Sequence, residues 1–369
     1  MDEVVNKFES VFNKDGTVID LKQNEHESLF KNWGKGGNQE ERRKEILTIQ
    51  KRNRNDNLDN FRGILDLVNA SDNHQIFKSY KDLYRPNIYV AGFNKASSYK
   101  KVLMLSEWLI EKPNDFNENW YVVPCPKGIR VLVVSNKGNT NFFSKHGRFL
   151  KQCHTALPGG NPSDFNQRRT GFSVLDGFLV ESTNTFYVLD LLAWNSQPMT
   201  DGETEFRQYW LKSHFQELSD LHNISKTNNI TFQLLPMVSC DVESFNHFMM
   251  KYPHFESNVP LLDGLLFYHK KAHYVAGETP LVGWLYPYMV NEVLGPHIVI
   301  NSMYEAERPD DYINQADFIE KFTIKIKQNY RNKQSSRNAM ETESISNIKN
   351  DVLLSDELEI DHEEEKLDE

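Results

Sequence analysis

Trp284 stands between Gly283 and Leu285 and is followed by Tyr286, Pro287 and Tyr288. An indole beside a glycine and near a proline can offer one π face to a ligand, and it can equally be core between two strands. A second chemical signal is positive charge. Arg42, Arg43, Lys44, Lys51, Arg52 and Arg54 crowd one stretch, interrupted by Ile46, Leu47 and Ile49. Such a run is a solvated helix face, a transport signal or a nucleic-acid patch. His269 and His273 lie four apart on a strand-like segment, without cysteine or carboxylate partners at ligand spacing, so no metal site is expected. Cys125, Cys153 and Cys240 are too few and too scattered for a disulfide framework or a zinc knuckle.

The 369 residues suffice for one large or two ordinary domains. The formal charge of −10 would oppose nucleic-acid binding if it were spread evenly. Much of the excess lies in Asp351 to Glu369, which leaves the rest close to neutral with basic blocks near Arg42 and Lys325. There is no N-terminal apolar signal region and no apolar run of about 18 residues, so a soluble protein of the cytosol or nucleus is expected.

The elements that must position these residues follow in order. Val4, Val5, Phe8, Val11 and Phe12 recur at spacings of three and four, one apolar stripe on a short helix. Asn38 can cap a basic helix whose first turn carries Glu40 and Glu41, which suits the helix dipole. Phe61, Ile64, Leu65 and Val68 form another amphipathic patch, and residues 69–99 read as a linker. From Val102 the texture becomes strand-rich. LMLSEWLI is a short helix or strand, and WYVVPCPKGIRVLVVSNKG gives a strand, a turn at Pro126-Lys127-Gly128 and a β-branched return strand. SVLDGFLVE and FYVLDLLAW pair across Ser182-Thr183-Asn184. Phe206 to Leu221 is helical with Phe206, Trp210, Phe215 and Leu218 on one side, and Asp241 to Tyr252 is a second helix. Asp263 to Tyr268 and Leu281 to Val290 close an α+β domain rich in antiparallel strands. Ala316 to Lys327 forms a terminal helix, and the polar, acidic sequence from Gln328 onward is expected to be disordered.

Four segments in this order, CPKGIR, LDGFLVE, FYVLDLLAWN and LLDGLLFYHK with PLVGWL, resemble the core of the covalent nucleotidyltransferases, the messenger-RNA guanylyltransferases and polynucleotide ligases. In that family a lysine opens the first motif and attacks the nucleotide. Here its place is held by Cys125, and the acidic position two residues on is Lys127, while Gly128 and Arg130 remain. The family's closing lysines around a tryptophan are Gly283 and Leu285. The resemblance therefore implies a core without its nucleophile or its closing charge clamp. An alternative is a transferase that uses Lys127 as a displaced nucleophile.

A closer resemblance runs over nearly the whole chain, to the snurportins. These are import adaptors whose degenerate guanylyltransferase-like core binds the 2,2,7-trimethylguanosine cap of small nuclear RNAs. LMLSEWLI, the Cys-Pro before Gly128 and Arg130, LPGGN (157–161), DGLLFYHK and TPLVGWL with YPYMV carry it. It implies an exportin-recognised segment over residues 1–25 and an importin-β-binding segment over 26–68. A cap-binding domain over 100–308 and a terminal helix with an acidic tail over 309–369 complete the expected layout. It also implies a monomer that shuttles between nucleus and cytoplasm, without catalysis, cofactor, metal or membrane contact.

The site residues follow from that resemblance. Trp284 would stack on the N7-methylated, cationic base, and Ser106 and Lys145 would meet its edge, Lys145 at the guanine oxygen. Leu105, Trp108 and Cys125 would form the apolar recess for the two N2 methyls. Arg130 would meet the triphosphate. Arg42, Arg43, Lys44, Lys51 and Arg52 would pair with carboxylates of importin β, and the chain's own acidic tail is the expected competitor for them.

Overall fold

The computed structural model describes residues 38–51, 99, 102–162, 171–255 and 259–324. The expected helix at 1–12, the patch at 61–68, the linker, Arg52, Arg54 and the acidic tail lie outside the described residues.

The expected α+β class is what folds. Helix α1 spans 39–51, and Asn38 caps it as the sequence suggests, its Oδ1 accepting from the Glu40 amide at 2.8 Å. Strands β1 (Met104–Trp108), β2 (Trp120–Pro126), β10 (Val238–Ser239), β11 (Leu262–His269) and β12 (Gly277–Leu285) make a five-stranded sheet in the order β1-β12-β11-β2-β10. Strands β3 (Ile129–Asn136), β4 (Asn139–Ser144), β5 (Phe149–Cys153), β6 (Phe172–Val180), β7 (Thr185–Trp194) and β8 (Gln197–Pro198) run in the order β5-β4-β3-β6-β7-β8. A short parallel strand, β9 (Thr231–Leu234), pairs with β7 to complete seven.

The strand expected to return on β2 does not. After the turn at Lys127-Gly128, β3 crosses into the other sheet and pairs with β4 and β6. Both β2 and β3 alternate apolar side chains on two faces, so neither is bound to be the other's partner. The hairpin after β3 was missed although its signal is in the chain. Lys137 (φ 50°) and Gly138 (φ 83°) both sit at positive φ, which a two-residue turn between twisted strands favours.

Two-residue alternation sorts the side chains into three packed clusters. Val123, Cys125, Leu266 and Val282 from the first sheet meet Leu132, Val134, Phe178 and Leu189 from the second. Trp120, Val122, Leu265 and Phe267 point the other way. There they pack with helix α4 (Val242–Met250), α5 (Val290–Leu294), and Ile319 of the terminal helix α7 (315–324). Val131, Val133, Phe186 and Val188 pack against helix α3 (Thr204–Glu217). The order is helices, sheet, sheet, helix. In α3 the buried face is Thr204, Arg207, Gln208, Leu211 and Phe215, whereas Phe206, placed inward by its apolar character, is 47% exposed. An arginine displaced it because Asp190 awaits that arginine on β7.

Helix α4 is capped by Asp241, which accepts from the Ser244 amide at 2.9 Å. Beyond it, His254 lies between Phe248 (4.2 Å) and Tyr304 of α6 (Ser302–Ala306) at 5.8 Å. Burial, with Lys251 nearby, depresses its imidazole from the usual 6.5 to about 4. The fold therefore holds it neutral while the unfolded chain protonates it. Its contribution is fully present above about pH 6.5 and is lost as pH falls toward 4, by up to about 3 kcal/mol. His254→Phe should flatten the urea midpoint of unfolding across that window relative to the parent chain.

Candidate functional site

Trp284 is half-buried on β12, beside β11. Its indole lies over Gly264, whose residue pair across the sheet is Cys125. A Cβ at Gly264 would sit 2.3 Å from the indole Cζ2, so only glycine allows the ring to lie down on the β11 backbone. Edge-on contact with Tyr286 at 6.1 Å supports the ring from behind. The DGLLFYH and GWLYPY segments singled out in the sequence are thus the floor and the wall of one feature.

Leu105, Cys125 and Trp284 all pack against the cluster between the two sheets, and so do Phe143 and Phe149. Those two phenylalanines flank the β4–β5 turn, where Lys145 is half-buried. The turn is tied by the Gly147 amide to the Ser144 carbonyl at 2.8 Å and by the Arg148 amide to Ser144 Oγ at 3.2 Å. Ser106 sits half-buried on β1, just before a register break against β12. Of the seven expected residues, Leu105, Cys125 and Trp284 share this cluster, and Ser106 and Lys145 lie one and two residues from members of it.

The other two do something else. Trp108 is 2% exposed and belongs to the outer core, with its ring 6.1 Å from both Tyr286 and Phe318. It anchors the terminal helix to the core. Arg130 commits its fork to Asp176, Nε to Oδ1 and Nη2 to Oδ2, both at 2.7 Å. Its Nη2 also donates to the Met104 carbonyl at 3.4 Å. Tyr274 completes the arrangement, donating to Asp176 Oδ2 at 2.8 Å and accepting from the Met104 amide at 3.1 Å. A guanidinium held this way through Nε and Nη2 fixes the start of β1, the strand that carries Leu105 and Ser106. Sequence reasoning missed Asp176 and Tyr274. The signal was an aspartate inside the otherwise apolar run SVLDGFLV.

Cys125 is 1% exposed, with its Sγ 3.9 Å from the Pro126 carbonyl. His269 meets Asp115 at 3.2 Å and stands edge-on to Trp120, a structural pair. Burial would raise the Asp115 carboxyl, but hydrogen bonds from His269, Trp120 and Asn119 outweigh it and hold the acid below its usual range. Among the described residues no group of three or more such side chains could hold a metal.

A family model described as "Snurportin1, m3G cap-binding domain" matches residues 102–287. The chain belongs to the snurportin family. That match spans both sheets and ends just past Trp284 and Tyr286, so the two sheets together are the family's m3G cap-binding domain. Among solved structures, the ligase domain of M. tuberculosis LigD aligns over 50% of this chain and 58% of its own, at 15% identity and TM-score 0.33. A Lig E DNA ligase aligns over 50% of this chain and 68% of its own, at 11% identity and TM-score 0.31. This snurportin spans less than two thirds of the LigD ligase chain. Among the described residues no helix is long and apolar enough to cross a membrane.

Proposed function

We propose that this snurportin carries trimethylguanosine-capped small nuclear RNA into the nucleus, with Trp284 as the platform for the cap base. The observation that carries this reading is the indole laid flat over Gly264 at the rim of the apolar inter-sheet cluster. An N7-methylated guanine is cationic, and an indole face gains about 1–2 kcal/mol from it beyond area burial. Ser106 and Lys145 meet the base edge, and Leu105 and Cys125 take the N2 methyls. Lys145, on its short turn, is the donor for the guanine oxygen. Arg130 acts through its hold on Asp176 and Met104, a positioning role.

The protein is an adaptor and not an enzyme. A buried thiol stands where an amine would have to form the phosphoramidate, and thiol burial also keeps it inert. Arg42, Arg43, Lys44, Lys51 and Arg52 form the importin β arm, and residues 1–25 serve exportin for recycling of a monomeric, shuttling carrier.

Quenching of tryptophan fluorescence by trimethylguanosine and 7-methylguanosine cap dinucleotides tests the cap reading. Strong quenching selective for the trimethyl cap is expected. Equal, weak responses to both caps would defeat it. A covalent, acid-labile guanylate on the protein after incubation with GTP and a divalent cation would install the transferase in its place.

A further inference from the structure

Two of the five arginines and lysines assigned to the importin arm are not exposed in this fold. Arg42 makes a two-pronged pair with Glu107, Nη1 to Oε1 and Nη2 to Oε2, both at 2.8 Å, and the Glu107 side chain is fully buried. Gln39 of the same helix donates to Glu107 Oε2 at 3.3 Å and to the Trp108 carbonyl at 3.0 Å. Arg43, 3% exposed, donates from Nε to the Pro280 carbonyl at 3.0 Å and lies 5.2 Å over the Trp120 ring. At the far end of the helix, Gln50 accepts from the His273 amide at 3.3 Å. By contrast the Lys44 side chain is 68% exposed, and Lys51 is exposed.

We propose that the cap-binding domain binds its own importin arm in cis, with Glu107 as the latch, so that the domain and importin β compete for α1. The proposal rests on the importin reading above. Its physics is exchange of partners. A two-pronged guanidinium–carboxylate pair fixes geometry, and Arg42 cannot offer the same fork to Glu107 and to an acidic groove at once. A 13-residue helix is marginal in water, so α1 owes its form to this dock or to another one. The docked helix still shows Lys44 and Lys51, enough charge for first contact by an acidic partner, which then has to pull Arg42 and Arg43 from the domain.

The dock closes on functional strands. Glu107 and the Trp108 carbonyl belong to β1, which is the sheet's edge, and Pro280 belongs to β12, four residues before Trp284. Edge strands left bare invite unwanted pairing, and α1 covers this one. The acidic tail, which charge alone nominates as the competitor, is not needed for this mask.

The test uses the full chain as parent, Glu107→Gln and Gln39→Ala, with the deletion of residues 351–369 alongside. Amide exchange across 39–51 is measured without importin β, and importin β is then titrated at fixed salt. Both substitutions should speed exchange at 39–51 at least tenfold and tighten importin β binding about tenfold, whereas the deletion should change neither. Gln39→Ala leaves the domain's own residues intact, so it reads the latch even where Glu107→Gln lowers the melting temperature. Unchanged exchange in Gln39→Ala and in a folded Glu107→Gln protein overturns the latch. Faster exchange with unchanged importin affinity overturns the competition. Faster exchange with no importin binding in any form refutes the importin reading itself, and the competition with it.

Discussion

Trp284→Ala should cost this protein about a hundredfold in affinity for the trimethylguanosine cap while leaving its melting temperature within a few degrees. Stacking of a base on an aromatic side chain is worth about 1–3 kcal/mol by alanine substitution, and the base's positive charge adds about 1–2. About 3 kcal/mol in all is roughly two decades in Kd. Stability should suffer less because the ring is only half-buried and rests on Gly264 at the cluster's rim. Trp284→Phe keeps a ring but loses the richer indole face, so it should fall between the two. Gly264→Ala provides a second approach that leaves Trp284 in the chain. Its Cβ would meet the indole at 2.3 to 2.9 Å, so the ring must lift, and cap binding should weaken by about tenfold with the tryptophan still present. Isothermal titration with a cap dinucleotide reads both, since the quenching contributed by Trp284 would be lost with that residue while the other five tryptophans still emit. Full affinity in Trp284→Ala would move the site elsewhere on the domain.

Much of the domain was legible because two-residue alternation marks strands that have different environments on their two faces. Val131 to Val134 divides between two clusters residue by residue. What alternation does not encode is which sheet a strand joins. β2 and β3 are separated by two residues and part company, a choice made by partners more than a hundred residues apart in the case of β2 and β11. The contact between Trp284 and Gly264 was not legible. DGLL and GWLYPY each stood out in the sequence, but it takes the pairing of β11 with β12 to lay the Trp284 ring on Gly264. The partners of Trp108 and Arg130 were not legible, because a motif tells which residue type stands at a position and not which way it turns. On β1, Leu105 faces the inter-sheet cluster while Trp108 reaches the outer core. The arm was readable as a basic helix with its Asn38 cap, but Glu107, buried in LSEW, carried no sign that it was its counter-charge.

Asp190→Asn should destabilise the fold by about 3–5 kcal/mol. Asp176 and Asp190 face each other across β6 and β7, and both are fully buried. Like charges directly opposite on adjacent strands repel, more so away from water. The fold answers each with its own arginine: Arg130 from β3 for Asp176, and Arg207 from α3 for Asp190 at 2.7 and 2.8 Å. Arg207 has no exposed surface, and its Nη1 also serves the Gly202 and Ala272 carbonyls at 2.6 and 2.9 Å. Removing the negative charge leaves that cation buried without its counter-ion, the costly way to break such a pair. For a domain of this size the loss corresponds to about 6–20 °C in melting temperature. The double change Asp190→Leu with Arg207→Met removes both charges together and should be less damaging than Arg207→Met alone, which strands Asp190 opposite Asp176. It should not recover the parent's stability, because the Gly202 and Ala272 carbonyls lose their donor. Thermal unfolding of the parent, Asp190→Leu, Arg207→Met and the double variant gives the coupling directly. Additive losses would mean that the Asp190–Arg207 pair does not depend on its charges, and that packing alone holds β7 and α3 together.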